Sequence, residues 1–179
     1  MLDFLTIVNG VPGAGKTTLA APLAKALGTP LLAKDAIKEA LFDAAGGAAP
    51  RQRIGVLASE SQWTIAGFFD GSLLLESFYA AGRDEPYVER GLRALGNPQG
   101  VEIWCDIPLD LAFERYRTRP RHRAHIDDSR LDEWWSLASD ARPMTGLPVL
   151  RVNTEGIVDV ETVAAQIALL RTTGQTRPA

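Results

Sequence analysis

Gly10-Val11-Pro12-Gly13-Ala14-Gly15-Lys16-Thr17, followed by Thr18, satisfies the spacing G-x-x-x-x-G-K-[ST] and stands between two segments of different periodicity. Before it, Phe4 to Asn9 is a short, β-branched apolar run that reads as a strand. After it, Lys16 to Leu27 has helical spacing, with Gly28 as a stop. In a strand, loop and helix of this kind, glycines let successive backbone N–H groups turn inward as an anion nest, and the helix N-terminus adds its partial positive charge. Lys16 then reaches the β and γ phosphates of a bound ATP, and the Thr17 hydroxyl can ligate Mg²⁺. Pro12, Gly13, Ala14, Gly15, Lys16, Thr17 and Thr18 are therefore the candidate nucleotide-binding residues. Lys16 is also a candidate catalytic residue, and Thr17 a candidate metal ligand. The plain alternative is a glycine-rich turn joining strand to helix, which the pattern and its context together argue against.

Working outward, Leu31 to Ala33 is a second short apolar run, and Asp35 stands where it would N-cap a helix over Ala36 to Ala44. Gln52 to Phe69 has apolar residues at Ile54, Leu57, Ile65 and Phe68, which suits one or two helices outside the sheet. Ser72 to Leu75 is a buried-strand candidate ending at Glu76, Glu85 to Leu95 is helical, and Val101 to Cys105 is another strand. Pro108 suits a first helical position before Leu109 to Tyr116. Ser129 with Asp132 resembles a capping box opening a helix to about Asp140. Pro148 to Val152 and Val158 to Leu170 complete the series as strand and helix. Five strands alternating with helices imply an α/β fold whose parallel sheet is covered on both faces, because parallel neighbours need crossover connections.

The 179 residues, 46% hydrophobic and 23% charged, predict a single domain over 1–171 with a frayed polar tail over 172–179. A formal charge of -3 offers no positive field to a polyanion, so nucleic acid is not the expected partner. No stretch approaches the roughly 18 consecutive apolar residues of a membrane span. Cys105 is the single cysteine, and the N-terminus has no basic leader, so the expected location is the cytoplasm. Oligomeric state is not legible.

Gly10 to Thr18, with Lys34-Asp35-Ala36-Ile37-Lys38 after the second strand and Arg115 to Arg123 after the fourth, resembles the small P-loop kinases of the nucleoside monophosphate kinase-like group. That group includes shikimate and gluconate kinases, adenylylsulfate kinase and chloramphenicol phosphotransferase. The resemblance implies a three-layer P-loop NTPase fold with sheet order 2-3-1-4-5 and a short Arg-rich lid at about 117–128. It implies ATP and Mg²⁺ as cofactors and transfer of the γ-phosphoryl group to a hydroxyl of a small molecule. Lys16-Thr17-Thr18 departs from the nucleoside monophosphate kinases, which have Gly at the position of Thr17, and leans toward metabolite or antibiotic kinases.

Phosphoryl transfer depends on positioning and charge neutralisation, so three further parts are expected. Asp35, just beyond the second strand, is a candidate to orient or deprotonate the acceptor hydroxyl, and is equally read as a helix cap. Glu76, ending the third strand, is a candidate metal-organising carboxylate, against the reading of an exposed strand-end acid. Within the Arg-rich segment the resemblance maps Arg115 and Arg119 onto the pair that packs on adenine and reaches the phosphates, with Arg119 catalytic and Arg123 a further phosphate contact. Arg51, Arg53, Arg83 and Arg90 flank the regions expected to line an acceptor pocket and suggest an anionic acceptor, which no residue identifies. Trp134 and Trp135 diverge by about 100° on a helix, so at most one faces the core. A nucleotide hydrolase, or a nucleotide-binding protein without an acceptor, is the alternative reading; neither a water-positioning residue nor a further domain supports it.

Overall fold

The computed structural model of the protein describes residues 2–125 and 129–174. Its centre is β1 (Leu2–Asn9), whose residues alternate between two buried faces. Phe4 and Val8 join one apolar cluster, and Leu5 and Ile7 join another on the opposite side. A strand buried on both faces needs parallel neighbours with helical crossovers, and β1 has two: β3 (Gly71–Glu76) and β4 (Gln99–Asp106). The short β2 (Leu31–Ala33) pairs with β3, and β5 (Val149–Asn153) with β4, giving the order β2-β3-β1-β4-β5. The expected five-stranded parallel sheet and its order are both present.

One face is covered by α1 (Lys16–Leu27), α5 (Leu109–Thr118), α6 (Ser129–Ser139) and α7 (Val160–Gly174), through Leu23, Ala112, Trp134 and Ile167. The other is covered by α3 (Arg51–Ala66) and α4 (Glu85–Ala94), through Trp63, Val88 and Leu92. Between β2 and α3 lies α2 (Lys34–Ala44). A smaller apolar cluster of Phe42, Ile54 and Ala124 fastens the 3-10 turn at Arg123–His125 onto α2 and α3.

Several boundaries differ from the sequence reading for local reasons. β2 runs into α2 without a loop, so Ala33 is the N-cap and Asp35 lies in the first helical turn, with no side-chain capping bond. Pro108 is itself the N-cap of α5, in an extended conformation, and the helix begins at Leu109. The last helix continues to Gly174, past the predicted start of the tail; 175–179 lie outside the described residues, as do 126–128 of the predicted lid and the Ser129 and Asp132 side chains of the proposed capping box. No helix among the described residues is long and apolar enough to cross a membrane.

Candidate active site

The ends of β1 and β3, the start of α1 and the first turn of α2 open into one cleft of about 1250 Å³. Such a position, at the carboxyl edge of a doubly wound sheet where the strand order reverses, is where this architecture binds ligands. The loop after β1 is shaped by its neighbours. Gly13 has φ 92, and a Cβ there would lie 2.0 Å from the Ala112 carbonyl oxygen, so only glycine lets α5 pack against the loop. Gly15, at φ 83, is the N-cap of α1 and turns the chain into the helix in the left-handed region that favours glycine. Trp134 of α6 holds the loop from the other side, its indole Nε1–H donating to the Pro12 carbonyl at 3.1 Å.

Lys16 is buried, and its Nζ donates to the carbonyls of Gly10 and Val11 at 2.8 and 3.0 Å. The ammonium is therefore folded back along the loop, over the mouth of the nest that the sequence pattern predicts. Burial pushes its pKa below the ordinary lysine value, against the opposing pull of Glu76 and Asp35. Thr17 and Thr18 are exposed on the first turn of α1 and line the cleft.

The two candidate carboxylates stand in opposite electrostatic settings. Burial raises the Asp35 carboxyl, but Lys34, His125, Lys16 and Lys38 outweigh it and hold the group below its ordinary value. Glu76 is buried at the end of β3, not exposed as a strand-end acid would be; burial raises its pKa, and Lys16 opposes this without cancelling it. Thr17 and Glu76 bring oxygen donors to the same cleft, the donor type that Mg²⁺ requires.

The arginines divide. Arg115 reaches across to the turn after β5, donating to the carbonyls of Thr154 and Glu155 at 2.9 and 2.7 Å, and so joins α5 to that turn. Arg119 lines the cleft and lowers the Glu76 carboxyl electrostatically. Arg123 does not line the cleft: a guanidinium nitrogen lies beside Gly47, and its carbonyl accepts from Arg51 Nε at 3.0 Å. Docking of Ala124 onto α2 and α3 fixes that outward direction. Arg117 pairs with Glu114 at the surface. Arg121 lies over the Tyr116 ring, 3.5 Å from its centroid, and lines the cleft. Of the four arginines assigned to the acceptor pocket only Arg83 lines the cleft, and it is bound through two nitrogens to Asp84 at 2.9 and 2.7 Å.

Several participants are given no role by the sequence reading. Lys34 donates to the Phe78 carbonyl at 3.2 Å, and burial lowers its pKa. His125 comes from the 3-10 turn to meet Glu39 at 3.0 Å and Lys38 at 3.5 Å. Behind the loop, Asn9 accepts from Gly10 N at 2.8 Å and Tyr79 N at 3.1 Å through Oδ1.

The family model described as AAA domain matches residues 5–70, which span the phosphate loop, β2 and α2. No curated protein matches the sequence significantly. Among solved structures, a protein assigned as a kinase from Chloroflexus aurantiacus J-10-fl is 29% identical, with a TM-score of 0.78 over 93% of this chain and 97% of that one. A gluconokinase from Sinorhizobium meliloti 1021 superposes with a TM-score of 0.64 at 17% identity, over 96% of this chain and 97% of its own. Shikimate kinase from Acinetobacter baumannii, in complex with shikimate, does so with a TM-score of 0.60 at 16% identity, over 99% and 97%. The chain therefore has the fold of the P-loop small-molecule kinases and is similar to them along nearly its whole length.

Proposed function

We propose that the protein transfers the γ-phosphoryl group of ATP to a hydroxyl of a small molecule. The observation that carries this reading is that one cleft contains both the phosphate loop with Lys16 and Asp35, whose carboxyl is held low by Lys34, His125, Lys16 and Lys38. A volume of about 1250 Å³ exceeds what a single drug-sized ligand fills, roughly 300–1,000 Å³, and leaves room for a nucleotide and a second molecule.

In this reading the loop N–H groups bind the phosphates, and Lys16 exchanges its two carbonyl acceptors for phosphate oxygens. Thr17 and Glu76 would hold Mg²⁺, which supplies charge neutralisation on the phosphoryl oxygens. Arg115 keeps the turn at Thr154 and Glu155 in place beside the nucleotide, and Arg119 brings mobile positive charge to the transferring group. Asp35, held anionic, orients the acceptor hydroxyl toward the phosphorus and takes its proton as the new bond forms. Little basicity is needed, because in a loose transition state the nucleophile keeps its proton until late.

The test is transfer from γ-labelled ATP with Mg²⁺ to a panel of sugars, polyol acids, hydroxylated antibiotics and nucleosides, beside a control without acceptor. Label on one compound class is the expected result, with Lys16→Ala abolishing it while circular dichroism stays that of the parent. Phosphate release at one rate in every well, or undiminished transfer by Lys16→Ala, would overturn the reading.

A further inference from the structure

The acceptor half of the cleft carries a chemical preference of its own. Its wall on α3 is made by Gln52, Gly55, Val56 and Ser59, spaced i, i+3, i+4 and i+7 on one helix face, and none of the four is charged. Phe78 and Tyr87, both half-buried, line it as well. Of the cations that reach this half, Arg83 and Lys34 are matched by a carboxylate and a carbonyl, and Lys38 stands against His125 Nδ1 at 3.5 Å. Arg83 is bound bidentately to Asp84, His125 meets Glu39 at 3.0 Å, and Lys34 donates to the Phe78 carbonyl beside Asp35. Arg83 spends its Nε and Nη2 donors on Asp84, so a second carboxylate or phosphate arriving at the remaining N–H groups meets a pair whose charge is already neutralised.

Gly55 is a second, independent observation. It lies inside a sixteen-residue helix, where glycine is destabilising relative to alanine, yet its backbone does not need glycine. A Cβ built there would meet only Lys38 Cε, at an ordinary 3.9 Å. Packing within the protein does not account for the missing side chain. The residue faces the cleft, so what a Cβ would occupy is ligand space.

We infer that the acceptor is an uncharged hydroxyl compound with a flat apolar face, lying on α3 at Gly55 and against Phe78 and Tyr87, with its hydroxyl directed to Asp35. This inference rests on the proposed kinase reading for the meaning of the site, and it replaces the anionic acceptor that four sequence arginines suggested. Specificity then comes from the Arg83–Asp84 pair, which offers an arriving anion no net positive charge, and from the open surface at Gly55, which admits a ring.

The test reads binding without turnover. Protein loaded with β,γ-methylene-ATP and Mg²⁺ is titrated calorimetrically with matched probes: phenyl β-D-glucoside against phenyl β-D-glucuronide, uridine against uridine 5′-monophosphate, and methyl shikimate against shikimate. The neutral members are expected to bind at least tenfold tighter than their anionic partners. Asp84→Asn, which releases Arg83, is expected to narrow or invert that ratio, and Gly55→Ala to weaken the neutral probes about tenfold while raising the Tm. Tighter binding of the anionic members, no binding of any neutral member, or neutral binding unchanged by Gly55→Ala would overturn the inference. Neutral binding together with absent transfer to any compound retains the inference and removes the kinase reading; transfer confined to anionic acceptors does the reverse.

Discussion

Asn9 at the end of β1 donates through Nδ2 to Glu102 Oε1 of β4 at 2.8 Å, and both side chains are fully enclosed. The other Glu102 oxygen accepts from Met144 N, Thr145 N and Thr145 Oγ1 at 3.0, 2.9 and 2.7 Å, while Asn9 Oδ1 takes the N–H groups of Gly10 and Tyr79. One buried carboxylate and one amide thus fix the root of the phosphate loop, the turn after β3 and the turn before β5. Glu102→Ala leaves Asn9 Nδ2, Thr145 and two backbone N–H groups without their partner, and each orphaned buried group costs about 1–3 kcal/mol. With partial relief by water, the variant is expected to lose about 2–4 kcal/mol in urea unfolding. A loss below about 0.5 kcal/mol, the range of ordinary surface substitutions, would show that the pair contributes little.

Cys105 packs under Gly10, where a glycine Cβ would come within 3.0 Å of its own. Burial pushes the thiol up to about 12, so almost no thiolate exists at pH 8. A disulfide reagent should therefore label the native protein only at its unfolding rate, and labelling should become immediate in denaturant. Fast labelling of the native form would place the thiol at the surface.

The parts of the site that were legible in the sequence are those made by neighbours in the chain. The phosphate loop needs nothing beyond Gly10 to Thr18 and the strand and helix beside it, and Gly28 ends α1 through its own N–H to Lys25 O. The sheet order came from resemblance, because strand periodicity carries no information about which strands pair. Arg123 and Arg83 show why the rest was hidden. Each direction is set by a partner far along the chain or by a neighbour's charge: Ala124 docking on Phe42 and Ile54 turns Arg123 out, and Asp84 occupies Arg83. His125, Lys34 and Gln62 likewise acquire their places through contacts 30 or more residues away, including Gln62 Nε2 to the Leu32 carbonyl at 2.8 Å.

Asp35 and Glu76 give pH effects of opposite sign. Asp35 is held below its unfolded value of 3.8, so its stabilising contribution is present above that pH and is lost as pH falls through the lower folded value. Glu76 is raised above 4.5, so the fold binds a proton that the unfolded chain has released; stability from this group is full below pH 4.5 and is lost as pH rises through the folded value. Asp35→Asn should therefore be less stable than the parent at pH 7 and lower transfer by about 10²- to 10⁴-fold. Glu76→Gln should be at least as stable as the parent at pH 7, with the advantage gone near pH 4. Urea titrations across pH 4–8 check both signs, and a Glu76→Gln variant destabilised at pH 7 would contradict the second.

Trp134 offers a direct report on nucleotide arrival. Its ring is packed by Phe113 at 5.1 Å and Trp135 at 5.0 Å between centroids, and its Nε1–H is bound to the Pro12 carbonyl inside the phosphate loop. Any shift of the loop as phosphates replace carbonyls around Lys16 changes the field at that indole. Adding β,γ-methylene-ATP with Mg²⁺ should change the tryptophan emission, and Trp134→Phe should remove most of that change, leaving Trp63, Trp104 and Trp135 as an unresponsive background. The same variant loses one hydrogen bond to the loop, about 0.5–1.5 kcal/mol, and should bind the analogue about 2- to 10-fold more weakly, with a far-ultraviolet spectrum like the parent's. An undiminished emission change in Trp134→Phe would show that the signal arises elsewhere and that α6 does not sense the loop.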